Sequence, residues 1–168
     1  GALIIAGEGR AFCAGGDVKR MNAAADVPGV ESRNQILNLH GWLRRLHELE
    51  CPVIAEVNGL AFGGGFALAL VADFVVASTQ AKFSAVFGRI GLIPDMALLH
   101  TLPRAVGVQK AKELMYTARS IGAQEAQALG LVLEVHAPDE LQGAVNAFAK
   151  RLGQGSKEAI GLTKQLLN

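Results

Sequence analysis

Two glycine-rich turns, each directly after a short apolar run, constrain this chain most strongly. The first turn is Phe12-Cys13-Ala14-Gly15-Gly16-Asp17, and the second is Asn58-Gly59-Leu60-Ala61-Phe62-Gly63-Gly64-Gly65. The apolar runs at 2–6 and 53–57 predict buried strands. Glycine lets the backbone approach a ligand, and the first amides of a helix lack partners within it. Brought together, the turns could direct two amides at one oxygen, as in an oxyanion hole, although either alone also suits tight packing.

The glycine pattern does not match the common nucleotide-binding or hydrolase motifs. A dinucleotide-binding turn needs Gly-x-Gly-x-x-Gly, but Leu68 stands where the third glycine after Gly63 and Gly65 belongs. A phosphate-binding P-loop needs Gly-Lys-Ser or Gly-Lys-Thr, and neither turn is followed by one. No serine lies in the Gly-x-Ser-x-Gly pattern of the α/β-hydrolases. The order of strand, turn and helix suits a functional site, but not one of these kinds.

Composition and charge argue against nucleic-acid and membrane partners. The 168 residues are 51% hydrophobic, which is enough to bury the core of one domain. The 16 lysines and arginines nearly balance the 15 aspartates and glutamates, so no basic footprint for nucleic acid is present. The longest apolar stretch, 60–72, falls short of the roughly 20 residues that a membrane span needs. Cys13 and Cys51 predict a reducing, cytoplasmic setting rather than a disulfide framework.

The histidines do not predict a metal site. His40 and His47 are seven positions apart on a predicted helix, which separates them by about 10 Å along its axis. His100 and His136 have no partner at a spacing typical of metal ligands. We therefore expect no metal.

Strands alternate with helices along the chain, which predicts an α/β fold with mostly parallel strands. Strands are predicted at 2–6, 53–57, 74–77 and 131–135, and helices at 31–49, 64–72, 107–116, 123–129, 138–152 and 156–167. Residues 22–29 predict a mobile loop or a short helical piece, and residues 83–95 predict a loop. The helix at 138–152 has one apolar face, made of Leu141, Val145, Phe148 and Leu152. That face could cover the core or form a subunit interface.

Several segments of the chain resemble the crotonase superfamily, the enoyl-CoA hydratase/isomerase fold. They are residues 9–19, residues 52–59 with the Gly63-Gly64-Gly65 turn, residues 87–95 and residues 123–132. The resemblance implies one crotonase-like domain over 1–168, a spiral of ββα repeats with C-terminal helices. A member of the family would normally carry additional N-terminal strands and a longer C-terminal helical tail, and we expect part of both to be missing here. The sequence also opens inside a predicted strand without a methionine.

The resemblance also implies a site, a substrate and an assembly. The amides of Gly16 and Gly64 correspond to the family's two oxyanion donors, which hold a thioester carbonyl and stabilise an enolate. The residues that would line the adenine and phosphate end of coenzyme A are Ala14, Gly15, Asp17 and Lys19. Lys19 would either contact phosphate or remain solvated. Acyl-CoA thioesters are the family's substrates, used without a prosthetic group, and we expect its homotrimer or hexamer.

The chain departs from the family's hydratases at both catalytic glutamates. Their positions hold Ala67 and Phe87, which can neither activate water nor donate a proton. Asp95 stands where isomerases of the family carry a catalytic aspartate, and Phe87, Leu92 and Ile93 would desolvate it. An aspartate there could instead cap the following helix. The resemblance implies an enoyl-CoA isomerase with Asp95 as proton shuttle; enoyl-CoA hydration through Asp95 and non-catalytic acyl-CoA binding are the alternatives.

Overall fold

Two four-stranded sheets form the framework of the computed structural model, which describes residues 1–17, 19 and 29–168. The first sheet has the order β1-β3-β5-β8, and all of its strands are parallel. The second has the order β2-β4-β6-β7 and is parallel except between β6 and β7. The strands are β1 (Leu3–Ala6), β2 (Ala11–Cys13), β3 (Val53–Val57), β4 (Leu60–Phe62), β5 (Phe74–Ser78), β6 (Lys82–Ser84), β7 (Ile121–Gly122) and β8 (Glu134–His136).

Successive strands along the chain alternate between the two sheets, from β1 to β6. The successive pairs β1 and β2, β3 and β4, and β5 and β6 each give one strand to each sheet. Leu3 lies opposite Val53, and Ile54 lies opposite Phe74, so each repeat is placed beside the one before it. The central strand β3 is apolar apart from Glu56, as expected for a parallel strand covered on both faces. This spiral of ββα repeats confirms the predicted α/β fold.

The helices follow the predicted order with one addition. They are α1 (Gly29–His47), α2 (Gly64–Val71), α3 (Leu98–Val106), α4 (Val108–Thr117), α5 (Ala123–Ala128), α6 (Leu141–Leu152) and α7 (Lys157–Leu167). The sequence did not predict α3, and the loop predicted at 83–95 is wrong in part, because it contains the end of β6 and a 3₁₀ helix at Val86–Ile90. Residues 20–28, most of the loop predicted at 22–29, lie outside the described residues.

The alternation of side chains along β3 divides the core. Ala55 and Val57 are fully buried in the main apolar cluster on one face of the strand. Ile54 points to the other face, where it packs with Leu141 and Val145 of α6. The apolar face of α6 therefore covers the core, which was the first of its two possible roles.

A buried ion pair fixes α7 to the first sheet. Lys164 Nζ lies 2.7 Å from Asp73 Oδ2, and the two side chains are only 6% and 18% exposed. The same carboxylate oxygen accepts a hydrogen bond of 2.7 Å from the amide of Val53, where β3 begins. Lys164 also donates to the carbonyl of Cys51 at 3.2 Å. Because both charges have partners, the pair can remain buried and joins α7 to β3.

The C-terminal half of α1 packs against the core. Leu43 and Leu46 are buried beside Val53 and Val71, whereas Ile36 is 50% exposed. Among the described helices, α1 included, none combines the length and the apolar character that crossing a membrane requires.

Candidate functional site

The structure brings the two glycine-rich turns together, backbone against backbone. A Cβ atom at Gly15 would lie 2.9 Å from the carbonyl oxygen of Phe62 and 3.6 Å from the amide nitrogen of Gly64. A Cβ atom at Gly65 would overlap the carbonyl oxygen of Cys13. Gly15 also has a φ of 100°, which residues with a side chain rarely adopt. The close approach of the turns therefore depends on glycine at both positions.

Gly64 is the first residue of α2, so its amide has no acceptor within the helix. The preceding Gly63 adopts a φ of 53° and provides no side-chain cap. Its own amide donates to the carbonyl of Ser84 at 2.9 Å, which ties the turn to β6. A helix N-terminus carries a partial positive charge and favours an anionic ligand atom. Gly16 follows Gly15 directly and is exposed, so both predicted donors belong to the joined turns.

The stretch predicted to line coenzyme A faces solvent. Ala14, Asp17 and Lys19 are exposed, and Gly15 is half-buried. The backbone amide of Lys19 donates to Asp17 Oδ1 at 3.0 Å, so the carboxylate holds the local turn.

Asp95 is exposed and does not cap a helix. Helix α3 begins at Leu98 with Ala97 as its N-cap residue, and no side chain accepts a capping hydrogen bond there. The capping interpretation of Asp95 is therefore wrong. Within residues 1–17, 19 and 29–168, its carboxylate has no hydrogen-bond or ion-pair partner, and only its backbone carbonyl is engaged, by the amide of Leu98 at 2.9 Å.

The residues after Asp95 form a tight turn with left-handed backbone. Met96 has a φ of 49° and Ala97 a φ of 66°, and the hydrogen bond from Leu98 to Asp95 closes the turn. Glycine and asparagine are usual where both central residues have positive φ. Residues with a larger side chain cost about 1 kcal/mol or more each in this conformation. The turn directs Met96 onto the second glycine turn: its Sδ lies 2.8 Å from the position of a Cβ at Gly64. No motif in the sequence predicted this contact.

The two positions of the family's catalytic glutamates are filled by apolar side chains in the core. Ala67 is fully buried and Phe87 is 8% exposed, and both belong to the main apolar cluster. The predicted apolar surround of Asp95 is wrong, because Leu92 is 40% exposed and Ile93 78% exposed. Arg89, in the 3₁₀ helix of the same loop, anchors it to the end of α4 by donating from Nη2 to the carbonyl of Ala118 at 2.6 Å.

Three of the histidines share one surface cavity. His40, His47 and His100 line one cavity of about 400 Å³ between α1 and α3. His47 Nδ1 is 3.4 Å from the carbonyl of Val71, which occupies that ring nitrogen. In the part of the chain that the structure describes, no group of three or more potential ligands is arranged to hold a metal ion.

The fold and the joined glycine turns match one family. The model of the enoyl-CoA hydratase/isomerase family matches residues 1–168, and the chain belongs to this family. A probable enoyl-CoA hydratase of Mycobacterium leprae is 40% identical over 176 residues, covering 98% of this chain and 58% of the relative. The 1,2-epoxyphenylacetyl-CoA isomerase of Escherichia coli is 35% identical over 167 residues, covering 99% of this chain and 64% of the relative.

Solved structures confirm the crotonase fold. An enoyl-CoA hydratase/isomerase from Cupriavidus metallidurans has a TM-score of 0.93 and 40% identity to this chain. The match covers 99% of this chain and 62% of that structure. The chain thus spans less than two thirds of the length of these relatives.

Proposed function

We propose that the protein is an enoyl-CoA isomerase that moves a carbon–carbon double bond in a CoA thioester. Asp95 carries the proton, and the amides of Gly16 and Gly64 bind the thioester oxygen. One observation carries the proposal. Asp95 is exposed, and the next residue in the chain, Met96, contacts the joined glycine turns. Both positions from which a hydratase would supply its glutamates are occupied by buried apolar side chains.

The chemistry needs one base and one oxyanion site. In a 3-enoyl thioester, the Asp95 carboxylate removes a proton from C2, and the electrons of that C–H bond form an enolate. The enolate collapses as C4 takes the proton back from Asp95, so the double bond moves from C3–C4 to C2–C3. Atoms and electrons balance without a co-reactant. A single carboxylate that reaches both carbons is sufficient, and such a positioned base contributes roughly 10²- to 10⁴-fold.

The glycine turns supply the stabilisation of the enolate in this proposal. The charge develops on the thioester oxygen, where amide donors at 2.7–3.1 Å are each worth roughly 2.7–4 kcal/mol in the transition state. Gly64 begins α2, so the positive end of the helix adds to the field. Backbone donors are fixed by the fold, because Gly15 and Gly65 pack directly on the other turn.

Coenzyme A would extend from the thioester along the first turn. Ala14, Gly15, Asp17 and Lys19 form the exposed face of this turn. In the proposal, the Lys19 ammonium group contacts phosphate, while Asp17 keeps the backbone of the turn in place through the Lys19 amide.

Hydration of an enoyl-CoA is the second candidate, favoured by the names of relatives. The short-chain-enoyl-CoA hydratase of Clostridium acetobutylicum is 36% identical to this chain. Asp95 would then have to activate the water and also protonate C2. The buried Ala67 and Phe87 argue against this route because they leave one carboxylate for two tasks. A protein that binds acyl-CoA without turnover is the third candidate.

We also propose that the protein assembles as a homotrimer or hexamer. Helix α7 supports this, since Leu162, Leu166 and Leu167 are 61%, 88% and 70% exposed. Exposed apolar residues on one helix are typical of a surface that another subunit covers. Sedimentation of the full chain should show an oligomer, and a monomer at every concentration would contradict this part.

Product identification tests the proposed activity. The purified full-length protein is incubated separately with a 3-enoyl-CoA and a 2-enoyl-CoA, and the products are followed by proton NMR and mass spectrometry. Isomerisation predicts a product of unchanged mass with a shifted olefinic signal. A product heavier by one water from the 2-enoyl-CoA, without migration of the double bond, would establish the hydratase instead. Binding without any product would leave the third candidate.

A further inference from the structure

We propose that Met96 sets the size of the acyl group that the site accepts, by closing the space beside the Gly64 turn. The inference rests on the proposed function in one respect: it takes the thioester carbonyl to be bound at the Gly64 amide. It adds the residue that the carbon chain meets next. Its test therefore measures binding as well as turnover.

Met96 contacts the backbone of the second glycine turn at Gly64. Met96 Sδ lies 2.8 Å, and its Cε 3.8 Å, from the position of a Cβ at Gly64. The thioether thus covers the backbone of the residue whose amide would hold the carbonyl. The acyl carbons begin one bond from that carbonyl, so the Sδ and Cε atoms of Met96 beside Gly64 restrict where they can go. Because Gly64 has no side chain, the Met96 thioether can approach the backbone of the turn here, next to the Cα of Gly15.

The Met96 side chain also packs between two apolar clusters. The residue is half-buried and packs against both of the apolar clusters that flank the turn. One cluster contains Ala67 of α2, and the other contains Leu43 and Leu46 of α1. Met96 therefore lies between the start of α2, at Gly64, and the cluster that contains Leu43 and Leu46. Shortening its side chain would open an apolar space continuous with the Gly64 turn, which suits a longer or branched acyl chain.

Left-handed backbone at Met96 and Ala97 holds the Met96 side chain in place. Its φ of 49° and the φ of 66° at Ala97 are unfavourable for residues with side chains. Such strain persists where the surrounding structure enforces it, and it is concentrated at ligand sites. Methionine is unbranched and polarizable, so it fills an irregular space while still yielding to a bound chain. The fixed backbone keeps Met96 beside Gly64, and its flexible side chain limits the space for the acyl group while adapting to it.

The experiment compares affinities for short and long acyl groups. Dissociation constants of butyryl-CoA and decanoyl-CoA are measured by calorimetry for wild type, Met96→Ala, Met96→Leu and Leu99→Ala. In Met96→Ala, the affinity for decanoyl-CoA should rise roughly 10-fold or more relative to that for butyryl-CoA, the effect of extra apolar volume in a pocket. Met96→Leu keeps most of the volume and should restore the wild-type ratio. Leu99 is 56% exposed on α3, so Leu99→Ala should leave the ratio unchanged.

The outcomes separate this inference from the proposed activity. An unchanged ratio in Met96→Ala, in protein that binds acyl-CoA and retains its fold by circular dichroism, would overturn the role of Met96 alone. A shifted ratio in a protein that does not migrate double bonds would support Met96 and reject the isomerase. Failure of the wild type to bind either acyl-CoA would overturn both.

Discussion

Gly65, the second residue of α2, packs against Cys13 of β2 so closely that a methyl group at Gly65 would overlap the Cys13 carbonyl oxygen. The carbonyl carbon and the Cβ of Cys13 would also lie 2.7 Å and 2.8 Å from that methyl group. This contact joins the two glycine-rich turns, and the neighbouring approach of Gly15 to Gly64 depends on the same packing.

Gly65→Ala should therefore separate the turns. Because the clash is with backbone atoms, which cannot rotate away, we expect a loss of roughly 3 kcal/mol or more in the free energy of unfolding. Gly143→Ala is the matched control, since Gly143 lies inside α6 with open space around its Cα. That change should stabilise the protein by about 0.5–1 kcal/mol. Urea denaturation of the two variants checks both signs, and equal stability of the two would contradict the packing.

The left-handed turn after Asp95 predicts an unusual stabilising substitution. Ala97 is exposed and has a φ of 66°, so Ala97→Gly removes backbone strain without removing a buried contact. We expect a net gain of about 0.5–1 kcal/mol after the greater chain entropy of unfolded glycine is subtracted. Ala105→Gly, at an exposed position within α3, should instead lose about 0.5–1 kcal/mol. Destabilisation by both substitutions in thermal or urea unfolding would show that the turn is not strained.

Glu56 predicts a stability difference that depends on pH. Burial raises the pKa of this carboxyl above its ordinary value of 4.5. Its ionised form therefore destabilises the folded state at neutral pH, and this unfavourable contribution of Glu56 should be lost as pH falls through the folded pKa. Glu56→Gln should be more stable than wild type at pH 7, and the difference should disappear once the pH is below about 4.5, where Glu56 is protonated in both states. Denaturant melts across this range measure the effect.

Glu158 provides a control of opposite sign for that measurement. Its own backbone amide and the Ser156 hydroxyl lower the pKa of its carboxyl. Glu158→Gln should therefore lose stability at neutral pH, and the loss should vanish as pH falls through the lowered pKa. Identical pH profiles for the two variants would contradict the burial effect at Glu56.

The sequence predicted most of the longer elements and missed most of the three-residue strands. The predicted strand at 53–57 matches β3 residue for residue, because its apolar run is bounded by Pro52 and by Asn58-Gly59. Strands β2, β4 and β6 have three residues each, too few to show an alternating pattern. Helix α3 was missed because Pro103, which lies inside it, normally ends a helix.

The part of the site built from glycine turns could be predicted from the sequence. The turn at Met96 and Ala97 could not, because residues other than glycine and asparagine rarely adopt its left-handed backbone. The two glycine motifs indicated that the turns would approach each other, and Gly15 and Gly64 do so. No sequence rule places methionine at positive φ, so the contact of Met96 with Gly64 was not foreseen. The same turn delays the start of α3 to Leu98, which is why the capping role considered for Asp95 failed.

The most direct test of the central claim is the turnover of Asp95→Asn on a 3-enoyl-CoA. Asparagine keeps the shape of the side chain but cannot accept the proton from C2. We expect the rate of double-bond migration to fall by roughly 10²-fold or more, while the dissociation constant for the acyl-CoA changes little. Asp139→Asn, at an exposed position before α6, should keep the wild-type rate. Full activity of Asp95→Asn in folded protein would contradict the claim that Asp95 moves the proton.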